Sequence, residues 1–286
     1  MSNILEVCNL TKSYDTFSLK SVSFEIPTGY IMGFIGPNGS GKTTTIKSIL
    51  NLIRFSEGEI KLFGASLSGN LAKINDRIGV VMDIPFYSDD WTPEVIESAI
   101  SPFYTYWDSQ KYKKLLADFK IDNNKKVKEL SRGMKVKLML AVALSHDAKF
   151  LILDEPTSGL DPVARDEICS LLSDFISDGT KSILFSTHIT SDLEKIADYI
   201  TFILDGCVVF SGLKDELLEK YASVKGAIQE ITSDQKQLIF GLKEHETGFE
   251  GMIETKDIGK FSKTMMIEPI SLEEIIIFMN KEGGSL

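Results

Sequence analysis

One short segment limits what this chain can fold into more than any other. Residues 36–43 read Gly-Pro-Asn-Gly-Ser-Gly-Lys-Thr and satisfy the pattern G-x-x-x-x-G-K-[ST]. Glycines let such a backbone curl until successive N–H groups point inward, where they can hold phosphate oxygens. An apolar run of strand length, Tyr30–Ile35, precedes the segment, and a helical pattern over Thr43–Leu52 follows it. This order predicts a phosphate-binding loop that faces the positive end of a helix dipole.

The loop supplies the first candidate contacts to a nucleotide. Lys42 can reach the outer phosphates, and the hydroxyl of Thr43 can ligate Mg²⁺. The residues that we expect to surround the phosphates are Gly36, Pro37, Asn38, Gly39, Ser40, Gly41, Lys42, Thr43 and Thr44.

A pair of acidic residues follows a second strand-like run. Phe150–Leu153 is wholly apolar and leads into Asp154 and Glu155, at the carboxyl edge where parallel sheets bind ligands. Asp154 is suited to hold Mg²⁺, and Glu155 is suited to orient and deprotonate an attacking water. His188 follows a third strand-like run, where a histidine taken alone is more often a structural residue.

Together these features predict an α/β fold of the P-loop NTPase class with a parallel sheet core. The guanine-reading sequence Asn-Lys-x-Asp does not occur in the chain. ATP is therefore favoured over GTP as the nucleotide.

Composition excludes other classes of protein. The chain has 31 Lys and Arg against 41 Asp and Glu, a net charge of -10, which argues against binding of a nucleic-acid backbone as its main task. No apolar run approaches the ~18–20 residues of a membrane span, and the first residues do not resemble a secretion signal. The three cysteines, Cys8, Cys169 and Cys207, fit free thiols in a reducing compartment. We expect a soluble intracellular protein.

Residues from about 86 to 144 differ in character from the rest of the chain. They are rich in aromatic residues and helical patterns, and Thr92-Pro93 is typical of a helix start. This predicts a helical insertion between strands of the parallel sheet.

The second half carries several local signals. Asp161-Pro162 is expected to open an amphipathic helix, Ser191 and Glu194 predict a capping box, and Asp205-Gly206 predicts a β-hairpin. Beyond Gly212 the pattern weakens to a short helix, strand-like runs and a final helix.

A segment shortly before the acidic pair resembles a known family. Leu130-Ser131-Arg132-Gly133-Met134 is similar to the LSGGQ signature of ATP-binding cassette (ABC) proteins. The other family motifs occur in the expected order, with Walker A at Gly36–Thr43, Walker B at Leu151–Glu155, and Ser158-Gly159-Leu160-Asp161 before His188. The resemblance covers residues 4–212.

The resemblance implies a domain organisation. Residues 1–212 would form a nucleotide-binding domain, in which a RecA-like core carries an N-terminal antiparallel β-subdomain and an inserted helical subdomain at about 86–147. Residues 213–286 would form a small C-terminal extension.

The resemblance also implies roles within one protomer. Tyr14 would stack on adenine, and Thr43 and Asp154 would hold Mg²⁺. Glu155 would act as the catalytic base, while His188 would contact the γ-phosphate and orient the water.

Further roles would be played across a dimer. Two copies, either identical or closely paralogous, would pack head to tail around two ATP molecules. The signature residues Ser131, Arg132 and Gly133 would then complete the partner's site, and Asp161 would connect the two sites.

The sequence departs from the family pattern in two places. Arg132 and Met134 replace glycine and glutamine of the signature. Asp83 stands where the family usually has a glutamine that contacts Mg²⁺. Asp83 is a candidate Mg²⁺ ligand, and the alternative is that it only terminates its strand.

The resemblance implies a function in membrane transport. The helical insertion could form a groove for a short cytoplasmic helix of a separate membrane permease, or its aromatics could fill a core of their own. A single cassette without a fused membrane domain resembles the ATPases of bacterial ABC-2 exporters of peptides, antibiotics and lipids. We expect export of small amphipathic peptides from the cytoplasmic face of the membrane. The alternatives are an ATP-dependent regulator and an ATPase acting on nucleic acid or the ribosome.

Overall fold

The computed structural model describes residues 2–67 and 74–281. The strands, in chain order, are β1 (Asn3–Ser13), β2 (Ser18–Pro27), β3 (Ile31–Ile35), β4 (Glu57–Leu62), β5 (Ala65–Ser66), β6 (Ile78–Val81), β7 (Phe150–Asp154), β8 (Ser182–Thr187), β9 (Tyr199–Leu204), β10 (Cys207–Leu213), β11 (Tyr221–Gly226), β12 (Phe240–Glu244), β13 (Phe249–Glu254) and β14 (Met266–Pro269). The α-helices are α1 (Lys42–Ile49), α2 (Pro93–Ile100), α3 (Ser109–Asp118), α4 (Arg132–Leu144), α5 (Pro162–Ile176), α6 (Thr190–Ile196), α7 (Lys214–Lys220), α8 (Ser233–Lys236) and α9 (Leu272–Lys281).

A six-stranded sheet in the order β10-β9-β3-β8-β7-β6 forms the centre of the fold. Its strands run parallel except β10, which forms an antiparallel hairpin with β9. The strands β3, β7 and β8 are buried along their whole length, because both faces of the sheet are covered. The hairpin turn has φ values of 47° at Asp205 and 77° at Gly206, as a type I′ turn requires. The predicted α/β core and the predicted hairpin are both confirmed.

A second, antiparallel sheet in the order β2-β1-β4-β5 covers one face of the central sheet together with α1. Ile46 and Ile49 of α1 pack in one apolar cluster with Phe34 of β3. The helix predicted to extend to Leu52 ends earlier, at Ile49. Asn51, two residues beyond, has a left-handed φ of 54°, which a continuing helix cannot include.

Helices α4, α5, α6 and α9 cover the opposite face. Their apolar side chains join one cluster with alternate residues of the central strands, among them Leu140, Leu172, Leu193, Phe278 and Leu153. In the described ranges 2–67 and 74–281, none of the helices is both long enough and apolar enough to cross a bilayer.

The region between β6 and β7 is helical and has a small core of its own. Tyr112, Leu116 and Leu138 are buried there, and Trp91 and Trp107 pack against them. Three other aromatics of this region are largely exposed: Phe86 (70%), Phe103 (82%) and Tyr106 (68%). Most of the aromatics therefore fill the insertion, while a few remain at the surface.

Residues after β10 form a third sheet in the order β12-β13-β11-β14. Tyr221 and Met252 on one face of it join the main core, whereas Val224 and Ile253 on the other face pack in a separate cluster. Of the extension predicted at 213–286, residues 282–286 lie outside the described part of the chain.

The predicted capping box of Ser191 and Glu194 is wrong. The cap of α6 is Ile189, and Ser191 lies inside the helix. The hydroxyl of Thr187 accepts a hydrogen bond from the N–H of this cap residue, Ile189, at 3.0 Å. The Glu194 carboxylate instead accepts a hydrogen bond from the Leu272 N–H at 2.7 Å and so ties α6 to the start of α9.

Candidate active site

The loop between β3 and α1 has a shape that requires glycine. Gly41 has a φ of 113°, a conformation that side chains other than glycine rarely adopt. A Cβ atom there would lie 2.5 Å from Leu19 Cδ2 and 2.8 Å from Phe17 Cζ. A Cβ on Gly36 would lie 2.2 Å from the carbonyl oxygen of Ile203. The loop is thus packed tightly between β2 and β9, which fixes the direction in which its N–H groups point.

This loop borders a cavity of about 550 Å³ at the carboxyl end of the parallel strands. The residues that line the cavity are Thr16, Phe17, Asn38, Gly39, Gly41, Lys42, Thr43, Thr44, Asp83, Asp154 and Glu155. Most of the loop residues predicted from the sequence are among them. Gly36, Pro37 and Ser40 do not line the cavity. The carbonyl oxygens of Gly36 and Pro37 instead accept hydrogen bonds from Lys42.

Lys42 is buried under the loop and is held by fixed partners. Its ammonium group donates hydrogen bonds to the carbonyl oxygens of Gly36 at 2.7 Å and Pro37 at 3.3 Å. Glu155 Oε1 lies 3.8 Å away. Burial lowers the pKa of Lys42, and the charges of Glu155 and Asp154 oppose this shift. The side chain is thus fixed at the loop end of the cavity, beside the carboxylate of Glu155.

Thr43 and Asp154 meet across the cavity floor. The Thr43 hydroxyl donates a hydrogen bond to Asp154 Oδ2 at 2.9 Å. The other carboxylate oxygen, Asp154 Oδ1, is buried and has no hydrogen-bond partner. A buried carboxylate oxygen without a partner is unfavourable unless a cation or donor satisfies it. A hydroxyl and a carboxylate form the oxygen donor set that Mg²⁺ prefers, so the residues present fit this ion.

Glu155 stands between a cation and an imidazole. Its Oε2 lies 2.7 Å from His188 Nδ1, and its backbone N–H donates to the Ser186 carbonyl oxygen at 2.8 Å. Glu155 has a left-handed φ of 54°, an unfavourable conformation for a residue other than glycine and one of the kinds of strain that occur at active sites. The carboxylate is therefore held beside the cavity in a fixed orientation, with His188 as its neighbour. That arrangement can take a proton from a water molecule.

The aromatic wall of the cavity differs from the sequence prediction. Tyr14 does not line the cavity; the residue is 48% exposed, and the Lys12 ammonium lies 5.2 Å from the centroid of its ring. Phe17, which the sequence analysis missed, lines the cavity next to Gly41. The segment 14–17 contains two aromatics, and only the packing of β2 against the loop distinguishes them.

The signature residues lie at the start of α4. Ser131 Oγ caps this helix by accepting a hydrogen bond from the Met134 N–H at 3.3 Å. Neither Ser131 nor Gly133 lines the cavity of its own chain. A second cap is provided by Asp161 at the start of α5, where its carboxylate accepts from the Val163 and Ala164 N–H groups at 3.0 Å each. Those backbone donors lower the pKa of Asp161.

Asp83 and Arg132 contact each other. The Arg132 Nη2 atom lies 2.6 Å from Asp83 Oδ1. Asp83 follows β6 and lines the cavity. It therefore lies at the candidate site and does more than terminate its strand.

Comparisons with known proteins identify the family of this chain. The sequence profile described as "ABC transporter" matches residues 19–158. The chain is 31% identical to the bacitracin transport ATP-binding protein BcrA of Bacillus licheniformis over 86% of this chain and 80% of the relative. It is 35% identical to the Nod factor export ATP-binding protein I of Burkholderia orbicola over 74% of this chain and 71% of the relative. The ABC transporter ATP-binding protein YtrB of Bacillus subtilis is 29% identical over 98% of this chain and 99% of its own length.

Solved structures of similar fold belong to the same group. The ATP-binding subunit of an ABC transporter matches with a TM-score of 0.68 and 27% identity over 75% of this chain and 91% of its own. A dimeric ATP-binding cassette in a post-hydrolysis state with ADP and Pi matches with a TM-score of 0.66 and 24% identity over 73% of this chain and 98% of its own. The fold, the converging motifs and relatives covered over more than two thirds of their length lead to one conclusion: the chain belongs to the ATP-binding proteins of ABC transporters, a family of ATP hydrolases.

Proposed function

We propose that this ATPase hydrolyses ATP as a head-to-tail pair and drives a separate membrane permease. The observation that carries the proposal is the incompleteness of the cavity. Lys42, Thr43, Asp154 and Glu155 converge on it, whereas Ser131 of the same chain lies outside its lining. The signature therefore has a helix N-terminus and a hydroxyl that its own cavity does not use. A second chain, turned around, can use both.

Within such a pair each side chain has a distinct task. The loop amides and Lys42 bind the phosphates, and Glu155 takes the proton of the attacking water. His188, in contact with Glu155, orients that carboxylate and the water between them. Thr43 and Asp154 are the residues that would hold Mg²⁺, which when bound offsets the negative charge of the phosphates. The partner's Ser131 and Gly133 would close the site from above.

An apolar groove beside β6 is the proposed docking surface for the permease. It has a volume of about 310 Å³ and is lined by Leu50, Leu52, Asn75, Ile78, Val80, Phe86 and Tyr104. Of these residues, Leu52 and Phe86 are 56% and 70% exposed, and Ile84, two residues before Phe86 in the sequence, is 74% exposed. Exposed apolar side chains clustered in this way favour an interaction site. A short amphipathic helix fits a groove of this kind.

The groove lies next to the nucleotide cavity in the sequence and in space. Asp83 of the cavity and Phe86 of the groove belong to one short segment after β6. A movement of this segment when the cavity closes around ATP would therefore also move a helix bound in the groove. We propose that the chain works in this way as a peripheral protein on the cytoplasmic face of the membrane.

The relatives named for bacitracin transport and Nod factor export support a role in export. We propose small amphipathic peptides as the cargo class. The cassette would close around ATP and reopen when the products leave, and this movement would drive the permease. The permease would then be the subunit that contacts the cargo. Bacitracin is the natural probe, and expression of the chain with its permease should raise resistance, whereas a Glu155→Gln chain should not.

The permease interaction can be tested by co-purification. The chain is expressed together with a candidate permease, chosen as an integral membrane protein whose gene neighbours that of the chain, and the membranes are extracted in detergent. The wild type should co-purify and gain ATPase activity. Phe86→Asp should lose the complex, because it places a charge in the apolar groove. Met266→Asp is the matched control, since Met266 is similarly exposed (58%) but lies in the third sheet.

Two results would contradict the proposal. One is a chain that neither co-purifies with the membrane protein nor gains activity beside it. The other is a Phe86→Asp chain that binds as well as the Met266→Asp control.

A further inference from the structure

Asp83 and Arg132 are two positions at which this chain departs from its family's pattern, and they contact each other. Arg132 Nη2 lies 2.6 Å from Asp83 Oδ1. The two residues are far apart in sequence, one after β6 and the other in the first turn of α4. Their side chains are half exposed, at 49% and 50%. The pair thus joins the signature motif to the nucleotide cavity of the same chain.

The charges of the residues that line the cavity indicate what this ion pair contributes. Among the described lining residues, Lys42 is the only cation, while Asp83, Asp154 and Glu155 are carboxylates. Asp154 has Thr43 as a partner and Glu155 has Lys42 and His188. The partner of Asp83 is Arg132. A triphosphate entering this cavity would be repelled by a third carboxylate that is left without a countercharge.

Arg132 is also placed by the loop after β7. A Cβ atom built on Gly159 would lie 3.3 Å from both Cδ and Nε of Arg132, so the arginine stem crosses this glycine. Gly159 has a φ of 70° and leaves the space that the arginine occupies. The guanidinium is thereby directed towards Asp83 from a defined side.

We propose that Arg132 acts within its own protomer by neutralising Asp83 at the cavity wall, so that a chain with a carboxylate at position 83 can accept MgATP. This inference rests on the nucleotide-binding roles proposed above for the cavity residues. Arg132 is a positioning residue in this account, since it acts on the nucleotide through Asp83. Asp83 in turn serves as the anchor of Arg132.

The test separates this effect from any contact that Arg132 makes across a dimer. The probe is the β,γ-imido analogue of ATP with a methylanthraniloyl label, in the presence of Mg²⁺. Its binding is followed by fluorescence anisotropy with the chain dilute enough to be monomeric by light scattering. The variants are Arg132→Gln, Asp83→Asn, the double variant and Arg132→Lys, each checked for an unchanged melting temperature.

We expect Arg132→Gln to weaken binding about threefold, the effect of unpairing a half-exposed charge. Asp83→Asn should not weaken binding, and the double variant should return to the wild-type affinity because no unpaired carboxylate remains. Arg132→Lys should keep most of the affinity because it keeps the charge. The deficit of Arg132→Gln should shrink as salt is added. A purely structural role would not give this asymmetry.

Lys128→Gln is the matched control. Lys128 lies 2.8 Å from Asp90 in another exposed pair of the same helical region, and neither residue lines the cavity. Its loss should leave binding unchanged.

Three results would overturn the inference: unchanged binding by Arg132→Gln, weaker binding by Asp83→Asn, or a double variant as weak as Arg132→Gln. The second of these would make Asp83 a Mg²⁺ ligand instead. A wild-type chain that binds no labelled nucleotide would overturn the proposed function as well. If the wild type binds the labelled nucleotide normally and Arg132→Gln binds it equally well, only this inference is overturned.

Discussion

At the scale of single residues, the two aromatic side chains of the loop between β1 and β2 lie differently with respect to the cavity. Phe17 lines the nucleotide cavity, whereas Tyr14 lies outside the lining beneath Lys12. The loop between β1 and β2 is short, and the Tyr14 N–H donates to the Phe17 carbonyl oxygen at 2.8 Å. This turn directs the two rings differently.

We therefore predict that Phe17→Ala weakens ATP binding about tenfold, the typical contribution of one aromatic stacked on a base. Tyr14→Ala is the matched control and should have a smaller effect. The measurement is a titration with labelled nucleotide, and melting temperatures check that both variants fold. If Tyr14→Ala weakens ATP binding more than Phe17→Ala does, the prediction is wrong. Tyr14 must then move onto the adenine when ATP binds.

At the scale of elements, the helical insertion contains a buried histidine. His146 follows α4 and stacks on Tyr104 with ring centroids 3.9 Å apart. Burial lowers the pKa of His146 to about 4, compared with about 6.5 for an exposed histidine. Between these values the unfolded chain binds the proton and the folded chain does not, so stability falls as the pH falls.

The predicted consequence is a loss of about 1–2 kcal/mol in the free energy of unfolding between pH 7 and pH 5 that depends on His146. His146→Phe keeps an aromatic ring against Tyr104 and removes the titrating group. Urea titrations of both proteins at the two pH values measure the difference. Equal slopes with pH in the wild type and the variant would refute this assignment.

The elements also show what the sequence could and could not predict. The glycine loop, the buried strands and the Asp205-Gly206 hairpin depend on local chemistry, and each was predicted at the right place. The capping box was not, because Glu194 bonds to Leu272, a partner remote in sequence.

The same reason applies to the site. Lys42, Thr43, Asp154 and Glu155 could be named because their spacing is a local pattern. The pairing of Asp83 with Arg132 and the position of Phe17, rather than Tyr14, in the cavity wall arise from packing between distant segments, which no local pattern encodes. The third sheet after β10 lacks strong turn signals, and its strands are held by pairing with one another.

At the scale of the whole molecule, the C-terminal extension shares the main core. Phe278 of α9 is 3% exposed and belongs to the same apolar cluster as Leu153 of β7 and Leu193 of α6. The extension should therefore unfold together with the nucleotide-binding domain.

Phe278→Ala should lower the free energy of unfolding of the whole chain by about 3 kcal/mol, the usual cost of such a cavity. The chain has two tryptophans, Trp91 and Trp107, and both lie in the helical insertion far along the sequence from Phe278. Their fluorescence during urea unfolding therefore reports on the unfolding of the nucleotide-binding domain and not of the C-terminal extension. A variant whose tryptophan transition is unchanged would mean that the extension is energetically separate.

Hydrolysis of each ATP between two chains is the central premise of the proposed function. The direct measurement is the rate of phosphate release per chain as the wild-type protein is diluted about a hundredfold, with its mass followed by sedimentation. If the sites are shared, the rate per chain must fall as the pairs separate, and Ser131→Arg must abolish the rate at every concentration. A rate per chain that stays constant down to concentrations at which only single chains sediment would contradict the account.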